Sequence, residues 1–179
     1  MQFKCVFSGS GGQGSALLAK IVCQAGIADN MKVVMTQTYG IEQRGGDSTA
    51  FVIVSDAPIG NPLVEGDADL GIALSPSTYE MCLGQMGSGG RLYYNSSLIK
   101  EVKPVEGLNQ IPVAASDLAI SAGGSPRGLN LVMLGAAVAG TGFLKTETVE
   151  KVLTESIGYK KPQLLESNLA SFRAGLAIK

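Results

Sequence analysis

Gln2-Phe3-Lys4-Cys5-Val6-Phe7-Ser8-Gly9-Ser10-Gly11-Gly12-Gln13-Gly14 runs from an apolar stretch straight into a cluster of glycines, and Ser15–Gly26 follows with the apolar pattern of a helix. The order reads as strand, tight turn, helix start. Gly9, Gly11 and Gly14 fit the G-x-G-x-x-G spacing, which lets the chain turn sharply and lets a ligand approach the backbone. A helix N-terminus exposes unpaired N–H groups and a partial positive charge, and together these favour a phosphate. The same spacing also suits a tight strand–helix junction that binds nothing.

Working outward, the pattern predicts strands at Gln2–Ser8, Lys32–Thr38, Thr49–Ser55, Leu70–Leu74, Arg91–Asn95 and Gln110–Ala114. Helices are predicted at Gly14–Asn30, Pro76–Gln85, Asp117–Ala122, Leu129–Gly140, Thr146–Ser156 and Gln163–Leu176. Pro76 suits a first helical turn, where a missing N–H costs nothing. Alternating strand and helix patterns argue for an α/β domain: a mostly parallel sheet with helices on both faces, Rossmann-like, as a single domain over 1–179. Sheet order is not readable from the pattern.

Nicotinamide dinucleotide sites usually place Asp or Glu at the end of the second strand to hold the ribose. Here that strand ends Thr36-Gln37-Thr38, and the next acid is Glu42 beyond a turn. No Gly-Lys-Ser/Thr follows the glycines, so a Walker A loop is excluded. Histidine is absent, which removes Ser-His-Asp and Cys-His chemistry. The three cysteines, Cys5, Cys23 and Cys82, are too far apart in sequence for a cluster or zinc motif. Their odd number, with no signal peptide, points to a reducing cytoplasm.

A net charge of −1 without a Lys/Arg run argues against nucleic acid. The longest nearly apolar run, Leu129–Ala139, contains Asn130 and is too short for a membrane span. The chain is 45% hydrophobic and only 16% charged, which fits a well-buried parallel sheet, a partner-covered surface, or both. The small residues Gly135, Ala136, Ala137, Ala139 and Gly140 make the Leu129–Gly140 helix the expected partner surface, or else a closely packed core helix.

The second informative segment is Tyr39-Gly40-Ile41-Glu42-Gln43-Arg44-Gly45-Gly46-Asp47-Ser48, which leaves the second strand on the same sheet edge as the glycine turn. Open α/β sheets bind ligands there. Arg44 suits a phosphate or carboxylate, and Glu42 suits Arg44 or a ligand hydroxyl or amine.

The two glycine motifs together resemble the gamma subunit of 2-oxoacid:ferredoxin oxidoreductases, whose pattern is G-x-G-G-Q-G followed by Y-G-P-E-x-R-G-G. Ser55-Asp56-Ala57-Pro58-Ile59, Asp67-Ala68-Asp69, Asn130 with Leu134-Gly135-Ala136, and Asn168 extend the resemblance over nearly the whole chain. Ile41 departs from the family's usual proline.

The resemblance implies an enzyme that converts a 2-oxoacid and coenzyme A to acyl-CoA, carbon dioxide and reduced ferredoxin. Its length looks most like the 2-oxoglutarate or branched-chain type. It implies alpha and beta partner subunits, with a ferredoxin-like delta subunit as a further candidate, and thiamine diphosphate, magnesium and iron–sulfur clusters held by those partners. On this chain it implies coenzyme A contacts from Gly9, Gly11, Gly12, Gln13, Gly14, Tyr39, Glu42, Arg44, Gly45 and Gly46. The missing acid after the second strand fits the ribose phosphate of coenzyme A, which a carboxylate would repel. A free-standing nucleotide-binding oxidoreductase and a purely structural subunit remain the alternative readings.

Overall fold

The computed structural model describes residues 1–39, 46–158 and 162–178. Its centre is a six-stranded sheet in the order β2-β3-β1-β4-β5-β6. The strands are β1 (Gln2–Gly9), β2 (Lys32–Tyr39), β3 (Ser48–Ser55), β4 (Ala68–Ala73), β5 (Met86–Asn95) and β6 (Asn109–Val113). β1, β4, β5 and β6 form parallel ladders. β3 runs antiparallel to both neighbours, with Gly9 opposite Ser48 and Tyr39 opposite Ser48. The sheet is therefore mixed and mostly parallel, as expected, but β3 is wedged between β1 and β2. That insertion brings the end of β2 and the start of β3 to the carboxyl end of β1.

The helices are α1 (Ser15–Ala28), α2 (Pro76–Leu83), α3 (Ala115–Gly123), α4 (Leu129–Thr141), α5 (Thr146–Gly158) and α6 (Leu165–Leu176). Strand side chains alternate between two faces. Cys5, Phe7, Val52, Val54, Leu70, Ile72 and Leu74 pack beneath α1 and α4, with α3, α5 and α6 completing the larger core. Val6, Ala73 and Leu92 face the other way and pack with Tyr79 and Cys82 of α2. Helices thus cover both faces.

Of the two readings of α4, the structure takes the closely packed core helix. Every residue from Leu129 to Val138 is buried. A Cβ on Gly135 would overlap the Phe172 carbonyl oxygen, and one on Gly175 would overlap the Val132 carbonyl oxygen. The small residues let α4 and α6 touch backbone to backbone inside the domain. A helix that is apolar all round needs burial on every side, and α6 supplies the last side.

β5 starts five residues before the predicted Arg91. Met86-Gly87-Ser88-Gly89-Gly90 lacks strand formers, but Cβ atoms at Gly87 and Gly90 would sit 3.1 Å from Asp67 and 2.8 Å from the Ala68 oxygen. Close approach to β4, at its register shift between Ala68 and Leu70, requires the glycines. Pro112 sits on the edge strand β6, where a lost N–H is tolerated.

Candidate functional site

α1 starts where β1 ends, α2 where β4 ends and α3 where β6 ends, so three helix N-termini gather at one edge of the sheet. Between β1 and β4 the connections leave toward opposite sheet faces, α1 to one and α2 to the other. Such a switch point opens a crevice at the carboxyl ends of the strands.

The Gly9–Gly14 turn forms one wall. Gly12 and Gly14 take φ of +89° and +91°, the left-handed region that glycine enters freely. A Cβ on Gly12 would meet nothing within 4 Å, so this residue and exposed Gly11 face open space. Gly9, Gln13 and Gly14 face the protein instead. A Cβ on Gly9 would crowd Gln13 and Leu74, and one on Gly14 would overlap the Asn130 amide. The third glycine therefore admits Asn130, from the start of α4, and not only the β1–α1 junction. Gly14 caps α1 with no side-chain bond, and the first turn carries no acid among the described residues. Its N–H groups and dipole are left for an incoming anion.

A hydroxyl cluster that the sequence reading missed joins this turn to the start of α2. Ser10 and Ser75 oxygens lie 3.0 Å apart, Ser75 and Thr78 3.0 Å, and Ser10 and Ser77 3.1 Å. Asp47 joins them: its Oδ1 accepts from Ser77 at 2.9 Å and Ser10 at 3.3 Å. Ser15 and Ser48 hydroxyls meet at 2.6 Å beneath the turn. Ser75 directly before Pro76 was the available signal, an extended residue preceding a proline-started helix. Asp47 lies in the second informative segment, but its partners were not readable there, because it reaches Ser10 only through the placement of β3. An acid does stand beside the glycine turn, supplied by the start of β3 and not by the end of β2.

Of the other predicted residues, Tyr39 ends β2 opposite Ser48, and Gly46 directly precedes Asp47. Glu42, Arg44 and Gly45 lie outside the described residues.

The cysteines do not suit metal or cluster ligation. Cys5 and Cys82 are fully buried and Cys23 is half-buried. Burial pushes the Cys5 thiol well up, Cys23 to about 11 and Cys82 to about 12, away from the thiolate form a metal needs. Among the described residues no group of three His, Cys, Asp or Glu could share a metal ion. Nor is any described helix long and apolar enough to cross a membrane.

Residues 4–178 match the family model described as pyruvate ferredoxin/flavodoxin oxidoreductase. The 2-oxoglutarate synthase subunit KorC of Methanocaldococcus jannaschii is 32% identical over 178 residues, covering 96% of this chain and 90% of that one. The keto/oxoacid ferredoxin oxidoreductase gamma subunit of Geobacter sulfurreducens superposes with a TM-score of 0.81 at 30% identity, covering 98% of this chain and 99% of that one. The fold also recurs in a 2-oxoglutarate:ferredoxin oxidoreductase of Magnetococcus marinus, solved with 2-oxoglutarate, coenzyme A and succinyl-CoA bound. There the TM-score is 0.86 at 22% identity, over 98% of this chain and 30% of that one. Family match, near-complete coverage and shared fold agree: the chain belongs to the pyruvate ferredoxin/flavodoxin oxidoreductase family, as a gamma subunit of the 2-oxoacid:ferredoxin oxidoreductases.

Proposed function

We propose that this subunit contributes part of the coenzyme A site of its enzyme. The observation that carries the reading is the open front of the glycine turn: Gly11 and Gly12 face solvent before an uncapped helix N-terminus, at the switch point of the sheet. Such a surface suits the phosphates of coenzyme A. In this reading Gly11 and Gly12 present backbone N–H groups, while Gly9, Gln13 and Gly14 shape the turn. Tyr39, Glu42, Arg44, Gly45 and Gly46 come from the neighbouring β2–β3 connection, with Arg44 as the phosphate cation. The Magnetococcus enzyme, of similar fold, was solved with coenzyme A bound, which supports the choice of ligand.

The chain is a single domain that works in the cytoplasm within a complex. Thiamine diphosphate, magnesium and iron–sulfur clusters belong to the partner subunits, alpha and beta with a ferredoxin-like delta as a further candidate, through which electrons pass to ferredoxin. The thiamine cofactor supplies the carbanion chemistry. The role of this chain is to hold the acyl acceptor, and alone it turns over no 2-oxoacid.

Steady-state kinetics of the assembled enzyme test this reading. Arg44→Ala removes one charge-assisted contact of about 1.5–3 kcal/mol and should raise the KM for coenzyme A roughly ten- to a hundredfold. Gly12→Val should act in the same direction. Decarboxylation before acyl transfer needs no coenzyme A and should survive both changes. Wild-type dependence on coenzyme A in both variants would remove the assignment and leave a structural subunit.

A further inference from the structure

Within the glycine turn, Gly9, Gln13 and Leu74 fit together as one unit. Gln13 Oε1 accepts the Ser10 N–H at 2.8 Å, and Gln13 Nε2 lies 3.5 Å from the Leu74 carbonyl oxygen just beyond β4. The Gln13 N–H also donates to the Ser10 carbonyl at 3.1 Å, so backbone and side chain close the same turn. A Cβ on Gly9 would stand 3.0 Å from Gln13 Oε1 and 3.0 Å from Leu74 Cδ1. The first glycine of the motif therefore makes room for this amide. On its other side the Leu74 oxygen is approached by Asn95 Nδ2 at 3.4 Å. Asn95 Oδ1 in turn accepts from the Ser97 and Ser116 N–H groups at 3.3 and 3.4 Å. Two side-chain amides thus link the carboxyl ends of β1, β4 and β5 to the start of α3.

We infer that Gln13 is a positioning residue for coenzyme A binding: its amide pins the glycine turn to the end of β4, so that Gly11 and Gly12 face outward with their N–H groups preset. The inference rests on the proposed coenzyme A site and adds a division of labour within it. Gln13 touches the protein, and Gly11 and Gly12 touch the ligand. A turn held in place before binding loses less entropy when the ligand arrives.

Two measurements test this together. In the ligand-free full chain, hydrogen exchange of the Ser10 amide should speed up about tenfold or more in Gln13→Ala, because its acceptor is gone. Gln13→Glu keeps the oxygen and should keep that amide protected. In the assembled enzyme, Gln13→Ala should raise the KM for coenzyme A about two- to tenfold, as expected for one lost hydrogen bond, with kcat nearly unchanged. Gln13→Met, which keeps the volume and removes both polar contacts, should repeat both results if the alanine variant folds poorly. Unchanged Ser10 exchange with a raised KM would make Gln13 a direct ligand contact and overturn the inference. Faster exchange with an unchanged KM would overturn it too. Gly12→Val separates this inference from its premise. A normal KM there and in Arg44→Ala removes the coenzyme A site itself. A raised KM there, with a normal KM in Gln13→Ala, removes only the positioning role.

Discussion

The glycine turn and the α4–α6 seam are both rich in glycine, yet they use it in opposite ways. At the seam, a Cβ on Gly135 would strike the Phe172 oxygen, with Leu176 N at 2.9 Å and Gly175 Cα at 3.0 Å, so glycine is there to let protein meet protein. At Gly12 a Cβ would meet nothing within 4 Å, and glycine is required by a φ of +89° alone. Small residues mark a place where something comes close. Whether that something is another segment of the chain or a ligand is decided by what surrounds the missing side chain. The turn mixes both uses: Gly9 and Gly14 belong with the seam, and Gly12 does not.

The same substitution at two sites puts this contrast under the greatest strain. Gly135→Ala forces backbone apart from backbone and has no flexible side chain to displace. It should destabilise the chain by about 3 kcal/mol or more, read as a fall in the urea midpoint. Gly175→Ala should match it from the other helix, and the pair should be non-additive because they share one contact. A cost within about 0.5 kcal/mol of zero at Gly135 would mean that the helices separate freely and that the seam is not a packing device.

Gly12→Ala should cost less, about 1–2 kcal/mol, since only the left-handed backbone resists a Cβ there. Its effect on coenzyme A affinity in the assembled enzyme should be the larger consequence. Stability loss equal to that of Gly135→Ala, without any change toward coenzyme A, would erase the distinction between the two regions.

The elements themselves were legible because apolar periodicity is local. β1, α1, β2, β3 and α4 fall within about two residues of their sequence positions, a difference within the usual uncertainty of element ends. β5 was shortened because Gly87, Gly89 and Gly90 look like a turn, and only their closeness to Asp67 and Ala68 explains a strand. The burial of α4 was in fact written in its sequence. A helix apolar on every side cannot present one apolar face. The glycine turn was read correctly as a turn, whereas the inward roles of Gly9 and Gln13 depend on Leu74, some sixty residues away in sequence. Ser75 and Ser77 were missed for the same reason. The segment that contains Asp47 reads as lying on the glycine-turn edge, but no local pattern places an antiparallel strand between β1 and β2, so its contact with Ser10 was not legible.

The smallest effect asks whether charge helps to hold the seam. Arg173 lies two residues before Gly175 on α6 and forks onto Glu150 of α5, with Nε to Oε1 at 2.7 Å and Nη2 to Oε2 at 3.1 Å. The hydrogen bond from Arg173 is the main reason the Glu150 carboxyl titrates below its ordinary 4.5. A lowered carboxyl adds stability above its unfolded pKa and loses it as pH falls through the lowered folded value. Both side chains still reach water, at 60% and 29% exposure, so screening keeps the contribution under about 1 kcal/mol. Glu150→Gln should therefore lower the urea midpoint slightly near pH 7. The gap from wild type should close as the pH falls below about 4, and 1 M salt should shrink it at every pH. A gap that persisted in acid would mean that the loss comes from altered α5–α6 packing and not from the ion pair. A gap approaching that of Gly135→Ala would mean that charge, and not backbone contact, holds α6 in place.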